Sequence, residues 1–550
     1  MVFDDAGVEA PIVKLPTADQ TDLTSGITEK SRGAPALECA AVFLLSLGLM
    51  LWIQFVSPAI IGNDAYYHIR WSRMLRASLF SRAPHLPAFT WLPLTVLRAS
   101  EFVDQHFLFH VALMPFTLGD LRIGAKLAAP LFAALGMTSL FALLVIYQVR
   151  HRWLWLLPLL VGSEQFLYRM SMTRAPSLSL VILAAGVYLL LERKFVLLAA
   201  LAFVFVWLYN MFPLIVAFAV AYAVAAWLAG RRIDLGPLYA TAIGTALGLL
   251  INPYFPKDFL LFAHHARMLL ADTATIDVGG EWYPFETWEL LTQNGLILLL
   301  ALAALLALDL PSFLRPAGAG DTRSARDEGT ARGSMRSQDR RPLFFLLVAA
   351  GLLFMGLRWK RFVEYWPPFL VLFAAFTFDA EQTEWPLSLR PRAIAAVLGV
   401  MMAAIGVWNV RGARAELRDT DDPNAMRGAA AWLAGHTPAG SIVFNVDWAE
   451  FPELFYYDQH NVYVSGLDPR YLYDAQPDLW KVYDSITDGT EKHAAPLIRQ
   501  RFGAEYVVAR SDSTDFLNAA KASGDFDTVY SDDHAAVLHV RSLEDVKPGG

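Results

Sequence analysis

Long apolar runs alternate with polar segments along most of the chain, and this pattern predicts a polytopic α-helical membrane protein. A membrane-crossing helix needs about 20 apolar residues, and shorter runs suffice where a helix is buried among others. We therefore expect eleven spans, of which those at 153–167, 195–208 and 366–379 are short. The predicted spans are 38–57, 123–147, 153–167, 177–191, 195–208, 211–229, 238–252, 291–308, 343–357, 366–379 and 393–409.

The pattern changes after residue 410. Helical patterns at 424–435 and 490–502 there alternate with short runs typical of β-strands, which predicts a soluble α/β domain over 411–550. A segment of this length can hold a hydrophobic core of its own. The predicted strands are Ser441–Val446, Asn461–Val464, Glu505–Arg510 and Ala535–Val540.

Basic residues indicate which side of the membrane each polar segment occupies. Under the predicted spans, arginine and lysine collect on one side, where 311–342 alone contains seven arginines. Positive charge favours cytoplasmic loops. We therefore expect a disordered cytoplasmic tail at 1–35, a transmembrane domain at 36–410 with a cytoplasmic loop at 311–342, and external loops at 58–122 and 253–290. The domain at 411–550 then lies outside.

Composition agrees with this topology and excludes several classes of protein. Hydrophobic residues make up 55% of the 550 residues and charged residues 18%, with a mean hydropathy of +0.38. The net charge of −7 includes no basic stripe, so we expect no nucleic-acid partner. Cys39 is the single cysteine, which excludes an internal disulfide and a cysteine-based zinc site. The bacterial inner membrane fits best, and an endoplasmic reticulum membrane has equivalent sidedness.

Polar and aromatic residues crowd the segment directly after the first span, from Gly62 to Arg70. Asp64 could bind a divalent cation or act as a general base, and Tyr67 and His68 follow it closely. The alternative is that Asn63 or Asp64 only caps a helix. The density of ionisable groups at a membrane edge favours a functional site.

Further candidates lie in other external segments. Glu281 stands between paired glycines and three aromatic residues, although an aromatic belt at the interface would look similar. Arg361, and Arg169 with Arg174, are external cations suited to binding phosphate, either of a substrate or of lipid headgroups. The alternative for Arg169 and Arg174 is that they end a short helix and extend their guanidiniums to the membrane interface.

Two weaker candidates complete the set. Asp104 and His106 have spacing that allows metal ligation, with His110 one turn further on, although an interfacial helix would also present polar residues there. Asp447 and Trp448 follow a predicted strand and either face the membrane site or form a turn or helix cap.

Several of these motifs, in this order, resemble those of the GT-C superfamily of membrane glycosyltransferases, and in particular the catalytic subunit of oligosaccharyltransferase and its bacterial and archaeal relatives. Residues 63–70 resemble the family's first external acidic motif. Tyr168–Ser171 resembles the lead-in to its second acidic motif. The motifs that resemble the later ones of the family are Glu281 with Pro284 and Trp288, Arg361–Phe362, and Asn445–Trp448.

The resemblance implies a sugar or glycan donor on polyprenyl phosphate or diphosphate, and a glycan, lipid or protein acceptor. It implies catalytic roles for Asp64 and Glu281, with Asp64 also a metal ligand if Mg²⁺ or Mn²⁺ is bound. Asp104 and His106 would be further ligands, and the alternative is an enzyme without metal. Substrate contacts are expected from Tyr67, His68, Arg70, Arg169, Arg174, Arg361, Asp447 and Trp448.

This chain departs from the oligosaccharyltransferase pattern at two places. Arg174–Ser177 replaces the second acidic pair, and Val446 stands where the family's Trp-Trp-Asp motif begins. We therefore favour a base acting largely without metal and a hydroxyl acceptor. Transfer of a whole glycan to protein asparagine is an alternative. A transporter or flippase of lipid-linked sugars is another, although its polar groups would be expected at the bilayer midplane.

Overall fold

A computed structural model describes residues 33–229, 233–270, 276–308, 340–380 and 391–541. Most of the predicted tail at 1–35 and of the predicted loop at 311–342 therefore lies outside the described residues. The description covers the complete external loop at 58–122 and nearly all of the C-terminal domain.

Helices account for most of the N-terminal part, and ten of the eleven predicted spans each coincide with one helix. The span predicted at 153–167 is divided between two helices, Arg152–Val161 and Glu164–Met170. Among the described residues, four helices are long and apolar enough to cross a membrane by length and composition: Pro35–Gln54, Leu121–Ile146, Thr287–Ala307 and Arg341–Arg358. The helices are α1 (Gly33–Gln54), α2 (Asp64–Leu79), α3 (Phe107–Leu113), α4 (Leu121–Ile146), α5 (Arg152–Val161), α6 (Glu164–Met170), α7 (Pro176–Leu191), α8 (Phe195–Leu208), α9 (Pro213–Leu228), α10 (Gly236–Leu250), α11 (Lys257–Leu270), α12 (Thr287–Ala307), α13 (Arg341–Arg358), α14 (Trp366–Ala380) and α15 (Pro391–Arg418).

The shorter apolar helices are shielded by their neighbours. Every residue of α14 from Trp366 to Thr377 is buried, which explains why an apolar helix of 15 residues is stable there. Close packing also joins α8 to α10: a Cβ added at Gly244 would lie 2.1 Å from the carbonyl oxygen of Ala199. Small residues at such contacts let membrane helices approach closely.

The C-terminal part forms a five-stranded sheet with helices, as the α/β pattern predicts. Strand order is β2-β1-β3-β5-β4; β1 pairs in parallel with β2 and β3, while β5 pairs antiparallel with β3 and β4. The strands are β1 (Ile442–Asn445), β2 (Val462–Tyr463), β3 (Tyr506–Arg510), β4 (Phe526–Ser531) and β5 (Ala535–Val540), and the helices are α16 (Arg427–His436), α17 (Phe451–Tyr457), α18 (Arg470–Ala475), α19 (Pro477–Thr487), α20 (Ala494–Leu497) and α21 (Thr514–Ser523).

Strand β4 is the one strand that the sequence pattern does not predict. It lies at the edge of the sheet and has no buried residue, so it lacks the apolar character of a core strand. The predicted helix at 490–502 is also shorter than expected, because α20 ends at Leu497 and a π-turn covers Ile498–Phe502.

Helix α2 connects the membrane domain to the C-terminal domain. It packs on α17, where the rings of Tyr66 and Tyr456 meet edge to face with centroids 5.3 Å apart. The following loop is also tied to the C-terminal domain, because the Tyr463 amide donates to the Trp91 carbonyl at 2.8 Å. Helix α2 and the loop after it are therefore both held against the C-terminal domain.

A buried lysine fixes the chain between α1 and α2. Lys126 of α4 is 2% exposed, and its Nζ donates to the carbonyls of Gln54, Ser57 and Ala59 at 2.8 to 2.9 Å. These carbonyls belong to the end of α1 and the turn after it, where buried backbone groups need partners. Lys126 thereby sets where α2 and Asp64 begin.

We predict that Lys126→Met destabilises the protein by about 2–4 kcal/mol, because it leaves three carbonyls without their charged donor. The measurement is thermal unfolding of the purified protein in detergent. Lys521→Met, at an exposed position near the end of α21, is the control and should change stability by less than about 0.5 kcal/mol. Equal effects of the two substitutions would contradict the structural role of Lys126.

Candidate active site

One cavity of about 890 Å³ lies where the membrane helices meet the C-terminal domain. Its walls come from the start of α2, the loop at 102–106, α6 and the loop after it, α9, α11, α13 and the segment 467–471. This one cavity brings together most of the residues singled out from the sequence: Asp64, Tyr67, His68, Asp104, His106, Arg169, Arg174, Glu281, Arg361 and Trp448.

Glu281 is surrounded by three arginines. Its carboxylate lies 2.7 Å from Arg169 and 2.9 Å from Arg174, and the nearest guanidinium nitrogen of Arg361 is 3.7 Å away. The three arginines come from two distant segments of the chain, at 169–174 and at 361, and converge on one carboxylate. Glu281 is therefore the central anion of the site.

Two further carboxylates complete this ionic cluster. Glu364, which is 1% exposed, accepts from Arg169 Nε at 2.8 Å and also pairs with its Nη2. Asp64 Oδ2 lies 3.2 Å from Arg174. Three guanidiniums thus face three carboxylates, so their charges balance.

Short local structures place these groups. Glu281 lies on a 3₁₀ turn, Gly280–Trp282, and Arg361 on a second one, Lys360–Glu364, directly after α13. The Lys360 amide donates to the Tyr283 carbonyl at 3.0 Å and joins the two turns. The Arg361 guanidinium also lies over the Trp282 ring, 4.3 Å from its centroid.

The surroundings shift the pKa values of the two cavity carboxylates, Glu281 and Asp64, in opposite directions. Burial alone would raise the pKa of Glu281, but attraction from Arg174, Arg169 and Arg361 outweighs burial and holds that pKa well below its usual value. For Asp64 burial outweighs the attraction of Arg174, so its pKa is raised. Glu281 is a permanent anion, while Asp64 is the better proton acceptor of the two.

Beyond the ionic cluster the cavity is apolar. The residues that line this part belong to α9 and α13, both of which coincide with predicted spans. They are Leu214, Ala217, Phe218, Ala221, Leu347, Val348, Gly351, Leu352 and Met355. A ligand that fills the whole cavity would need a charged part and a hydrocarbon part.

Asp104 and His106 line the cavity but do not share a ligand set. Both oxygens of Asp104 already serve as acceptors: Oδ2 for Trp71 Nε1 at 2.9 Å, and both for His110 Nδ1 at 2.8 Å. His106 stacks on Tyr209 with ring centroids 5.3 Å apart. Across the described residues, no group of three or more His, Cys, Asp or Glu side chains is placed to hold a metal ion.

The residues present do not fit a divalent cation, since guanidiniums contact the oxygens of Asp64 and Glu281 that such an ion would need. We derive no chemical step from a metal. Dependence on Mg²⁺ or Mn²⁺ stays a prediction that chelation can test.

Two residues expected to contact substrate lie outside the cavity lining. Arg70 points its guanidinium at the Tyr456 carbonyl and lies 5.0 Å above the Tyr456 ring, so it joins α2 to α17. Asp447 accepts from the Ala449 amide at 2.8 Å and caps a short 3₁₀ turn, whereas its neighbour Trp448 lines the cavity. The contacts of Asp447 therefore agree with its interpretation as a helix cap.

The cavity also contains residues that the sequence did not single out. Arg470 is 4% exposed, pairs with Asp468 at 2.8 Å and lies 4.4 Å from the Trp282 centroid. Asn210 and Tyr209 follow α8; the Tyr209 hydroxyl accepts from Arg361 at 3.3 Å. No local pattern marks these residues as part of the site, because the contacts that bring them there, of Arg470 with Trp282 and of Tyr209 with Arg361, join distant parts of the sequence.

Two crystal structures of ArnT from Cupriavidus metallidurans resemble this chain. The apo structure superposes with a TM-score of 0.51 at 14% sequence identity, covering 92% of this chain and 98% of ArnT. The structure bound to undecaprenyl phosphate has the same identity and coverage with a TM-score of 0.37. No family model and no curated protein matches the chain.

The likeness to apo ArnT shows the fold. It confirms the predicted architecture, a polytopic helical membrane domain followed by a small domain with a β-sheet. Membership of the GT-C superfamily and the narrower resemblance to oligosaccharyltransferase stay predictions from the sequence motifs.

We predict that Glu281→Gln destabilises the protein by about 3–5 kcal/mol, because it leaves three buried guanidiniums without their shared anion. Inorganic phosphate should then raise the melting temperature of this variant more than that of the wild type, since it can replace the lost charge. The measurement is thermal unfolding with and without phosphate.

Glu289→Gln is the matched control for Glu281→Gln. Glu289 pairs with Lys360 at 2.8 Å, but both side chains are about a quarter exposed. Such a pair contributes less than about 1 kcal/mol. A stability loss for Glu281→Gln no greater than that of the control would contradict a central role for Glu281.

Proposed function

We propose that this protein is an integral-membrane glycosyltransferase. It moves a sugar or glycan from a polyprenyl phosphate or diphosphate donor to an acceptor on the external face of the membrane. In this proposal the membrane is the bacterial inner membrane, the N-terminus is cytoplasmic and the C-terminal domain is periplasmic.

The observation that carries the proposal is the two-part character of the cavity. A cluster of three guanidiniums stands beside an apolar wall built by α9 and α13. Phosphate fits the guanidiniums, which bind its oxygens in pairs, and a polyprenyl chain fits the apolar wall. A water-soluble nucleotide sugar would leave that wall unused.

The ion pairs rank the three arginines as phosphate ligands. Arg169 is held by Glu281 at 2.7 Å and by buried Glu364, so it supports the site. Arg361 is the least restrained, at 3.7 Å from Glu281, and Arg174 comes next. We assign Arg361 and Arg174 to the phosphate that leaves with the lipid, where fixed positive charge stabilises the developing anion.

The acceptor side of the site is assigned to α2. Asp64 reaches the cavity beside Arg174, and we propose that its carboxylate engages the acceptor. Arg174 stands where the oligosaccharyltransferase pattern has acidic residues, which favours a hydroxyl of a glycan, a lipid or a protein over the amide of asparagine. Glu281 orders the arginines instead of taking a proton, because its pKa lies well below its usual value owing to Arg174 and its neighbours.

Undecaprenyl phosphate is a suitable probe, because a structure of ArnT contains it. We predict that Arg361→Met weakens its binding by about 10- to 100-fold, the loss expected for one charge-assisted contact. The measurement is binding to the purified protein in nanodiscs. Undecaprenol, which lacks the phosphate, should bind the variant and the wild type alike.

Arg150→Met is the control for Arg361→Met, because Arg150 is half exposed and pairs with Asp379 far from the cavity. It should bind undecaprenyl phosphate as the wild type does. If Arg361→Met also binds like the wild type, the proposed phosphate site is wrong.

The reaction itself is tested with undecaprenyl phosphate monosaccharides carrying labelled sugars, and membranes of the native host as the source of acceptor. The wild type should release undecaprenyl phosphate and label an acceptor. We predict that Asp64→Asn lowers this transfer at least 100-fold while undecaprenyl phosphate still binds. The proposal is overturned if the wild type consumes no donor of the panel.

A further inference from the structure

A chain of three hydrogen-bonded side chains lies beside the cavity, outside the ionic cluster. Asp104 accepts from His110 Nδ1 at 2.8 Å, and His110 Nε2 lies 2.8 Å from His68 Nδ1. His68 lines the cavity. Trp71 Nε1 donates to Asp104 at 2.9 Å and holds its carboxylate in place.

The hydrogen bonds define which nitrogen carries each proton. Asp104 is buried, and although burial alone would raise its pKa, its attraction to His110 outweighs this and lowers the pKa, so it is an acceptor only. With both imidazoles neutral, His110 carries its proton on Nδ1, which leaves Nε2 as an acceptor. His68 then donates from Nδ1, which leaves its Nε2 with a free lone pair.

That lone pair is available to a ligand. Across the residues that the structure describes, Nε2 of His68 has no hydrogen-bond partner, although His68 is almost fully buried at the cavity wall. A histidine that served only to fill the core would have both ring nitrogens satisfied. Burial also lowers the pKa of His68 well below its usual value, so the ring is neutral before an acceptor binds.

His68 lies on α2 close to Asp64, the residue that we propose engages the acceptor. Asp64 and His68 are four residues apart on the same helix and therefore share a face. Asp64 is already paired with Arg174 at 3.2 Å, whereas no ion pair or hydrogen bond engages Nε2 of His68 among the described residues. The pair can divide the work, with Asp64 orienting the acceptor hydroxyl and His68 receiving its proton.

We propose that His68, aligned by the Asp104–His110 pair, is the base that accepts the proton of the acceptor hydroxyl. This rests on the proposed function. The O–H bond of the acceptor breaks and its proton passes to His68 Nε2, while the acceptor oxygen forms the bond to the anomeric carbon. The bond from that carbon to the phosphate oxygen breaks, and its electron pair leaves with the polyprenyl phosphate.

Asp104 and His110 are positioning residues. They hold the ring of His68 in the required tautomer and stabilise the imidazolium that forms, as the carboxylate does in a Ser-His-Asp triad. Asp104→Asn keeps the shape but removes the charge and the obligatory acceptor. It therefore acts on His68 through His110.

The first experiment measures transfer and binding separately in His68→Gln. Transfer from the undecaprenyl phosphate sugar that the wild type uses should fall about 10²- to 10⁴-fold, the usual contribution of a general base, while the Kd for undecaprenyl phosphate stays within about twofold. In His68→Gly, added imidazole should restore part of the transfer. His436→Gln, which removes an imidazole stacked on Trp432 in the C-terminal domain, should leave transfer unchanged.

Transfer near the wild-type rate in His68→Gln, or no rescue of a folded His68→Gly by imidazole, would overturn the proposal and leave Asp64 as the base. Folding of each variant is checked by its melting temperature. Asp104→Asn provides the second test, with a lower kcat and unchanged undecaprenyl phosphate affinity expected.

The tautomer is measured directly by ¹⁵N nuclear magnetic resonance of histidine-labelled protein, with His68→Gln used to assign the signal. We expect His68 protonated at Nδ1 in the wild type and a changed distribution in Asp104→Asn. Protonation of His68 at Nε2 would overturn the inference. This measurement needs no substrate, so it judges the chain even if the wild type transfers no sugar and the proposed function fails.

Discussion

The contact of Glu281 with three arginines is the interaction on which the site depends. Arg169, Arg174 and Arg361 come from the segments after α5 and α13, and without a shared anion their repulsion would drive those segments apart. The same carboxylate sits on a turn joined by a backbone hydrogen bond to the turn that carries Arg361. One side chain thus holds together loops from separate parts of the helical domain.

The balance of charge in this cluster determines how an anion can bind. Three guanidiniums already face three carboxylates, so a phosphate must compete for a guanidinium that is only weakly held. Arg361 meets this condition because its distance to Glu281 is the longest and its other contacts are the Trp282 ring and the Tyr209 hydroxyl.

Hydropathy and short motifs predict much of this molecule, and the limits are physical. Ten of the eleven predicted spans coincide with single helices, because a helix in the bilayer must satisfy its own backbone and be apolar. Glu364 could not be recognised as a partner of Arg169, 195 residues away, because only tertiary packing joins them. Helical periodicity could have separated Arg70 from Asp64 and His68, since it lies six and two positions from them and off their shared face.

The contacts of α2 hold the side chains proposed to act on the acceptor more rigidly than a loop would. Tyr66 and Arg70 bind one face of this helix to α17 of the C-terminal domain, while Asp64 and His68 on another face reach the cavity. Lys126 fixes where the helix begins. A rigid helix held by both domains keeps a carboxylate and an imidazole at constant separation, which a base and an orienting group require. Relative movement of the domains would therefore disturb both groups together.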